Sequence, residues 1–417
     1  MSARGTVRVP GDKSISHRAL IFGALATGES QISGILESAD VRSTASVLRL
    51  LGVSVPDLSQ SFRFSGKGTH GLQQPGSPLD AGNSGTTVRL MSGVVAAHPF
   101  AARFEGDASL SRRPMKRIAE PLTAMGARFE FARGDGLPMT VHGGQLSGIS
   151  WNTRSASAQT KSAILLAGLC AGVQVTVIEA QKSRDHTERM LTSLGAPVEC
   201  EETSVSLSPV DAIAPLELVV PGDPSSAAYF VALSVLGGAG EVILPGVCVN
   251  HTRTGFIDTL IDMGARIEYD DRRAVAGDVS ATIVARKSRL HDCAIGTSQI
   301  PAMIDELPLL ACTAAAAGVT VEVRGAGELR VKESDRIAVV SQNLRAVGAS
   351  VDELEDGFVV RGAKRRLTGR VTTHGDHRIA MAFGVLGALE GNAIAIDDPE
   401  CVQVSYPKFW QDLESVR

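Results

Sequence analysis

Several short strings in this chain place charged or hydrogen-bonding residues at the heads of apolar helical runs. DAGNSGTTVR runs from Asp80 to Arg89. Gly82 and Gly85 allow backbone N–H groups to approach a ligand, Asn83 and Thr86 offer short polar arms, and Arg89 lies one turn into an otherwise apolar helix. An unpaired charge there would be costly, so the string reads as an anion site. KSISHR brings Lys13, His17 and Arg18 to a second helix head, with Ser14 and Ser16 as caps. Cations at a helix N-terminus oppose the dipole unless an anion joins them, so this is either an anion site or a solvated first turn.

RVKESDRI carries Lys332, Glu333 and Arg336. Spacing predicts Lys332 and Arg336 on one helical face, which an ordinary amphipathic helix start would also produce. THGDHR opens an apolar helix with Asp376, His377 and Arg378. Asp305 and Glu306 head ELPLLACTAAAAG, where Asp305 is either a base kept ionised by nearby cations or a helix cap. A proton donor needs a higher pKa, and Glu333 or Lys332 is the candidate. Arg113 in SRRPM and Arg184 in SRDHTE add cations, suiting substrates that carry phosphate and carboxylate. GKGTHG has the spacing of a nucleotide loop, but LQQPG follows it where a helix should begin, so it reads as a turn. His374 and His377 have no partners for a metal set. We expect no metal and no other cofactor.

These heads must be positioned by a repeating scaffold. Apolar helices recur about every 70 residues, six times, and a second series of amphipathic helices ends in glycines 52, 126, 195, 264 and 348 before an alternating strand. The sixth helix of that series is PKFWQDLESV, and its strand is expected from TVRVPG at the other end of the chain. With 417 residues the chain exceeds one ordinary core. Two groups of three repeats fit, with crossings near PGDKS and PGDPSS and a cleft between the groups as the ligand site. Aromatics are only 4% against 43 glycines, so the core is aliphatic and helices pack closely. A net charge of −4 argues against a general nucleic-acid surface. Six scattered cysteines suggest a reducing compartment, with Cys170 and Cys312 as buried small hydrophobes. No leader pattern opens the chain and no apolar run reaches ~18 residues, so a soluble, cytoplasmic protein is expected.

PGDKSISHR, LDAGNSGTTVR, RRPM, SAQTKSA, SRDHTE, IDELP, RVKESDR and GDHRIAM, taken in order, resemble the enolpyruvyl transferase family. Within it they resemble the branch acting on shikimate 3-phosphate, in its class II form. The likeness spans residues 10–381, and CVQVSYPKFW extends it to 410. It implies an α/β fold of two similar domains, each of three βαβαββ units in an inside-out α/β barrel, with 1–11 and 223–417 in one domain and 12–222 in the other. It implies enolpyruvyl transfer from phosphoenolpyruvate to the 5-hydroxyl of shikimate 3-phosphate, inhibition by glyphosate, and a monomer binding neither nucleic acid nor membrane.

The same resemblance gives Lys13, Arg113, Arg336 and Arg378 to phosphoenolpyruvate, with Asn83, Gly85 and Gln159 nearby. Ser14, Arg18, Ser157, Gln159, Arg184 and Lys332 would hold shikimate 3-phosphate. Asp305 would be the base, Glu333 would protonate the methylene carbon, and Lys13 would share in proton transfer. Val404 stands where many members have lysine, Glu328 where asparagine is common, and His186 near the place of a stacking tyrosine. A sister enzyme acting on UDP-N-acetylglucosamine is the nearest rival, but GDASLSRRP lacks its usual cysteine. A non-catalytic repeat scaffold is the other rival.

Overall fold

A computed structural model of the chain describes residues 3–362 and 366–417. Among the described residues, twelve α-helices alternate between two kinds. The core series is α1 (Lys13–Leu25), α3 (Gly85–Ala96), α5 (Ala158–Ala171), α7 (Pro224–Leu236), α9 (Leu307–Ala317) and α11 (His377–Ala388). The outer series is α2 (Ala39–Leu50), α4 (Lys116–Met125), α6 (His186–Ser193), α8 (Gly255–Asp262), α10 (Arg336–Ala346) and α12 (Phe409–Ser415). Core helices are apolar around their whole circumference and are buried almost end to end, as in α5 from Thr160 to Cys170. Outer helices bury one stripe: α4 covers Ile118, Ala119, Pro121, Leu122 and Met125 and leaves its other face to solvent.

The repeat is clearest around α5. Strand Ile149–Thr153 precedes the helix and pairs in parallel with Val175–Glu179 after it. Then comes α6, followed by Val198–Cys200 and Ser204–Leu207, whose antiparallel pairing completes a four-stranded sheet. The same β-α-β-α-β-β order and sheet recur around α3 and around α9. The architecture is therefore α/β, built from repeated βαβαββ-like units.

The chain divides into two compact units. The first holds residues 1–10, 221–273 and 279–417, and the second 11–220 and 274–278. The N-terminal strand Gly5–Thr6 pairs in parallel with Glu241–Cys248, the strand after α7. This corrects the expectation that it would serve the sixth repeat. Pairing needs a neighbour with an open edge, and the fourth repeat has one because its own preceding strand, Glu217–Val219, pairs with Glu29–Ser33 of the first. The sixth repeat keeps a two-stranded sheet, Thr368–Val371 beside Ala393–Ile396.

In the second unit, α3 and α5 approach so closely that a Cβ on Gly93 would fall 2.1 Å from the Ala163 carbonyl oxygen. Only glycine fits there. In the first unit, the C-terminal ends of α7, α9 and α11 (Leu236, Ala316 and Ala388) line one cavity. These three helices run parallel, so their N-termini lie together at the opposite end. Among the described residues, no helix is long and apolar enough to cross a membrane.

Candidate active site

Both units gather the N-termini of three parallel, buried helices, each carrying roughly half a positive charge from its unpaired N–H groups. In the second unit the caps are Asp12, Ser84 and Ser157, which accept from the N–H groups of Ile15, Thr87 and Thr160. Arg18 reaches from α1, donating through Nε to Thr187 Oγ1 at 2.7 Å, through Nη2 to Ser162 Oγ at 2.8 Å and through Nη1 to the Ser14 carbonyl at 3.0 Å. Arg89, 5% exposed, donates to Gln159 Oε1 at 2.8 Å, and Gln159 Nε2 donates to Thr86 Oγ1 at 3.1 Å. Arg113 donates to Asn83 Oδ1 at 2.8 Å. Gly85 lies beside both arginines, where a Cβ would meet Arg89 Nη1 at 2.8 Å and Arg113 Nη1 at 3.5 Å.

The acceptors just named for these arginines are hydroxyl, amide and carbonyl oxygens. Lys13 differs, pairing with Asp40 at 2.9 Å. His17 is buried, and burial together with Lys13 and Arg18 pushes its pKa well down, so it is neutral. It bonds Thr44, which bonds Thr87. His17 therefore knits α1, α2 and α3 together rather than presenting a charge. Arg184 lies just before α6 and is half-buried. His186 is fully buried with Nδ1 2.7 Å from Asp278 Oδ2, so its ring is a structural partner and offers no stacking face.

In the first unit the N-cap positions are all acidic: Asp223 before α7 and Asp376 before α11 accept from the N–H groups of Ser225 and Arg378, while Glu306 before α9 makes no side-chain capping bond. Arg336 is 1% exposed and spans three acids. Its Nε is 2.8 Å from Asp376, its Nη1 3.2 Å from Asp305 and its Nη2 2.6 Å from Glu333. Burial opposes its charge, yet Asp376 and Glu333 outweigh burial and hold its pKa above the usual arginine value. Burial likewise pushes Asp376 up, but Arg336 overrides it and the carboxyl ends below its ordinary value. Arg378 is held more loosely, 3.6 Å from Asp305 and 3.6 Å from Glu306. Its charge survives burial because Asp305, Tyr229, Glu306 and Asp223 surround it.

The predicted site residues thus fall into two sets. Lys13, Ser14, Arg18, Asn83, Gly85, Arg113, Ser157 and Gln159 cluster at the second unit's helix heads, with Arg184 before α6. Asp305, Glu333, Arg336 and Arg378 cluster in the first. Lys332 adjoins them but shares no helical face with Arg336, because α10 begins at Arg336, capped by Asp335 accepting from Ala338 N–H. The serine and aspartate turn before it breaks the assumed helix. Cys170 and Cys312 are buried, and burial pushes the Cys170 thiol up to about 12. GKGTHG does enter a turn.

One residue escaped the sequence reading. At the α7 head, Arg253 lies 3.1 Å from Asp223 with its side chain 2% exposed. It belongs to NHTRTGF at the head of the outer helix α8, the position RVKESDR holds at α10. Attention to core-helix heads alone passed over it.

A family model for EPSP synthase (3-phosphoshikimate 1-carboxyvinyltransferase) matches residues 2–413. The chain is 45% identical to the 3-phosphoshikimate 1-carboxyvinyltransferase of Sulfurihydrogenibium sp., over 99% of this chain and 97% of that one. It is 47% identical to that of Paramagnetospirillum magneticum, over 97% and 93%. An EPSP synthase structure from Acinetobacter baumannii superposes with a TM-score of 0.88 at 39% identity, covering 100% of this chain and 96% of the other. With charged helix heads, repeat architecture and full-length similarity in agreement, the chain belongs to the EPSP synthase family.

Proposed function

We propose that the two residue sets divide one reaction between them. The chain transfers the enolpyruvyl group of phosphoenolpyruvate to the 5-hydroxyl of shikimate 3-phosphate and releases phosphate, the activity of its family (EC 2.5.1.19). Lys13, Arg113, Arg336 and Arg378 hold phosphoenolpyruvate, with Asn83, Gly85 and Gln159 beside it. Ser14, Arg18, Ser157, Gln159, Arg184 and Lys332 hold shikimate 3-phosphate. Support comes from Arg18, Arg89 and Arg113, which gather at the second unit's core-helix heads, where anions are favoured.

Protonation of the methylene carbon by Glu333 leaves cationic character at C2. Asp305 takes the proton of the attacking hydroxyl as the tetrahedral intermediate forms; that intermediate then expels phosphate and gives up a proton from its new methyl group, with Lys13 assisting proton transfer, which restores the double bond. The observation carrying this reading is that Arg336 touches both Asp305 and Glu333. A cation that binds the substrate thereby holds its acid and base within one group's reach. Acid–base positioning of this kind contributes ~10²–10⁴-fold, and fixed charges around the developing cation add to it.

We further propose that each unit's sheets close around its three core helices as an inside-out barrel, supported by the burial of those helices on all sides. The domain division is taken as 1–11 with 223–417, and 12–222. A cytoplasmic monomer binding neither nucleic acid nor membrane completes the reading, supported by the net charge of −4. The test is phosphate release from phosphoenolpyruvate with shikimate 3-phosphate, run beside UDP-N-acetylglucosamine. Release with the first acceptor alone is expected, and release with the second alone would overturn the substrate assignment.

A further inference from the structure

Arg253 is held by its surroundings before any substrate enters. Its turn is closed by Asn250, whose Oδ1 accepts from the Thr252 N–H and Thr252 hydroxyl, both at 2.8 Å. The following Gly255 packs so tightly on Ala302 that a Cβ would sit 2.9 Å from that residue's methyl. From this fixed base, Arg253 Nη2 donates to Asp223 Oδ1 at 3.1 Å and to Ser225 Oγ at 3.0 Å. Asp223 Oδ1 also accepts from the Ser225 N–H at 2.7 Å, capping α7.

A buried carboxylate that loses a cation is drawn toward another within reach. The head of α7 lies with those of α9 and α11, and Arg378 stands in the first turn of α11. Arg336 is gripped by contacts of 2.6–3.2 Å, whereas the carboxylates facing Arg378 stand off at 3.6 Å. Arg378 is thus the arginine that a displaced carboxylate would capture, and Asp223 already contributes to its field.

We propose that Arg253 is a positioning residue for phosphoenolpyruvate: by holding Asp223, it keeps that carboxylate from occupying Arg378. This rests on the assignment of Arg378 to phosphoenolpyruvate. Asp223 caps the helix in either case. What Arg253 adds is control over where its charge is spent.

The experiment measures steady-state kinetics and thermal unfolding on the full chain. Arg253→Gln is expected to raise KM for phosphoenolpyruvate on the order of tenfold, the scale of one charge-assisted hydrogen bond, with kcat changed far less. Asp223→Asn with Arg253→Gln keeps a cap acceptor without the competing charge, and should return KM to within about twofold of the parent. Arg253→Lys retains the cation and should show most of the parental affinity. An unchanged KM in Arg253→Gln overturns the proposal, as does a folded double variant no better than the single. If Arg253→Gln does not fold, a tenfold rise in KM for the folded double variant overturns it instead. Arg378→Gln separates the two readings. A raised KM there with a neutral Arg253→Gln defeats only this inference, while an unchanged KM removes Arg378 from the substrate and the inference with it.

Discussion

The helix heads of the two units are built alike and charged differently. In the second unit Arg18, Arg89 and Arg113 lean on hydroxyl, amide and carbonyl oxygens, and two of the three core caps are serines. In the first unit Arg253, Arg336 and Arg378 face carboxylates, and all three caps are acidic. Neutral partners orient a guanidinium without spending its charge. Acidic partners spend the charge but hold carboxylates close. One frame is thus furnished in two ways, and under the proposed roles the base Asp305 and the acid Glu333 both fall in the first unit.

The strongest test of this contrast is catalytic. Asp305→Ala and Lys13→Ala should each lower kcat by ~10²–10⁴-fold, the first with little change in unfolding temperature. Arg336 keeps Asp376 and Glu333 without Asp305, so the fold persists. Near-normal turnover in both variants would sink their assigned roles. Next comes stability. Arg336→Gln strands a buried carboxylate and should cost about 3–5 kcal/mol in urea denaturation, whereas Arg18→Gln gives up bonds to the Thr187 and Ser162 hydroxyls and the Ser14 carbonyl and should cost about 1–3 kcal/mol. Equal losses would erase the distinction between spent and unspent charge.

Opposite pH slopes give a smaller effect. The folded pKa of Asp376 is depressed, so its contribution is present above the ordinary carboxyl value of 3.8 and is lost as pH falls through the depressed one. Glu188, in the second unit, is pushed up by burial despite Lys161 at 2.7 Å. Its contribution is present below 4.5 and is lost as pH rises through its raised value. Asp376→Asn should flatten the acid limb of a stability–pH curve, and Glu188→Gln the decline above it. Limbs unaltered by both would remove the contrast. The smallest change is Gly85→Ala, which must displace the Arg89 guanidinium at a cost of ~0.5–1.5 kcal/mol. A few-fold rise in KM for phosphoenolpyruvate and weaker inhibition by glyphosate are expected, and an unchanged inhibition constant would refute the steric account.

Features encoded locally were legible in the sequence. DAGNSGTTVR and GDHR announce their helices because cap, glycine and apolar run are adjacent, and the repeat is legible because each glycine-ended helix precedes an alternating strand. Partners distant along the chain were not. Thr187 and Ser162 meet Arg18 across 169 and 144 residues, and no local signal at Arg18 names them. The pairing of Gly5–Thr6 with Glu241–Cys248 escaped for the same reason, since an edge is open only once another strand has gone elsewhere. Arg253 was hidden differently: its motif was visible, but its acid partner is brought to it only by the fold.

That strand exchange also orders the birth of the molecule. Residues 11–220 carry their own last strand, Glu217–Val219, and this stretch can complete its sheets during synthesis. Gly5–Thr6 is made before that stretch yet must wait, unpaired, until Glu241–Cys248 has been made. Such a long-range closure is a slow step that exposes a free edge meanwhile. The chain ends are neighbours, with Arg4 N–H donating to the Val416 carbonyl at 3.0 Å. A permuted chain that opened at Gly11 and carried residues 1–10 after Arg417 would keep this topology and shift the wait to the end of synthesis.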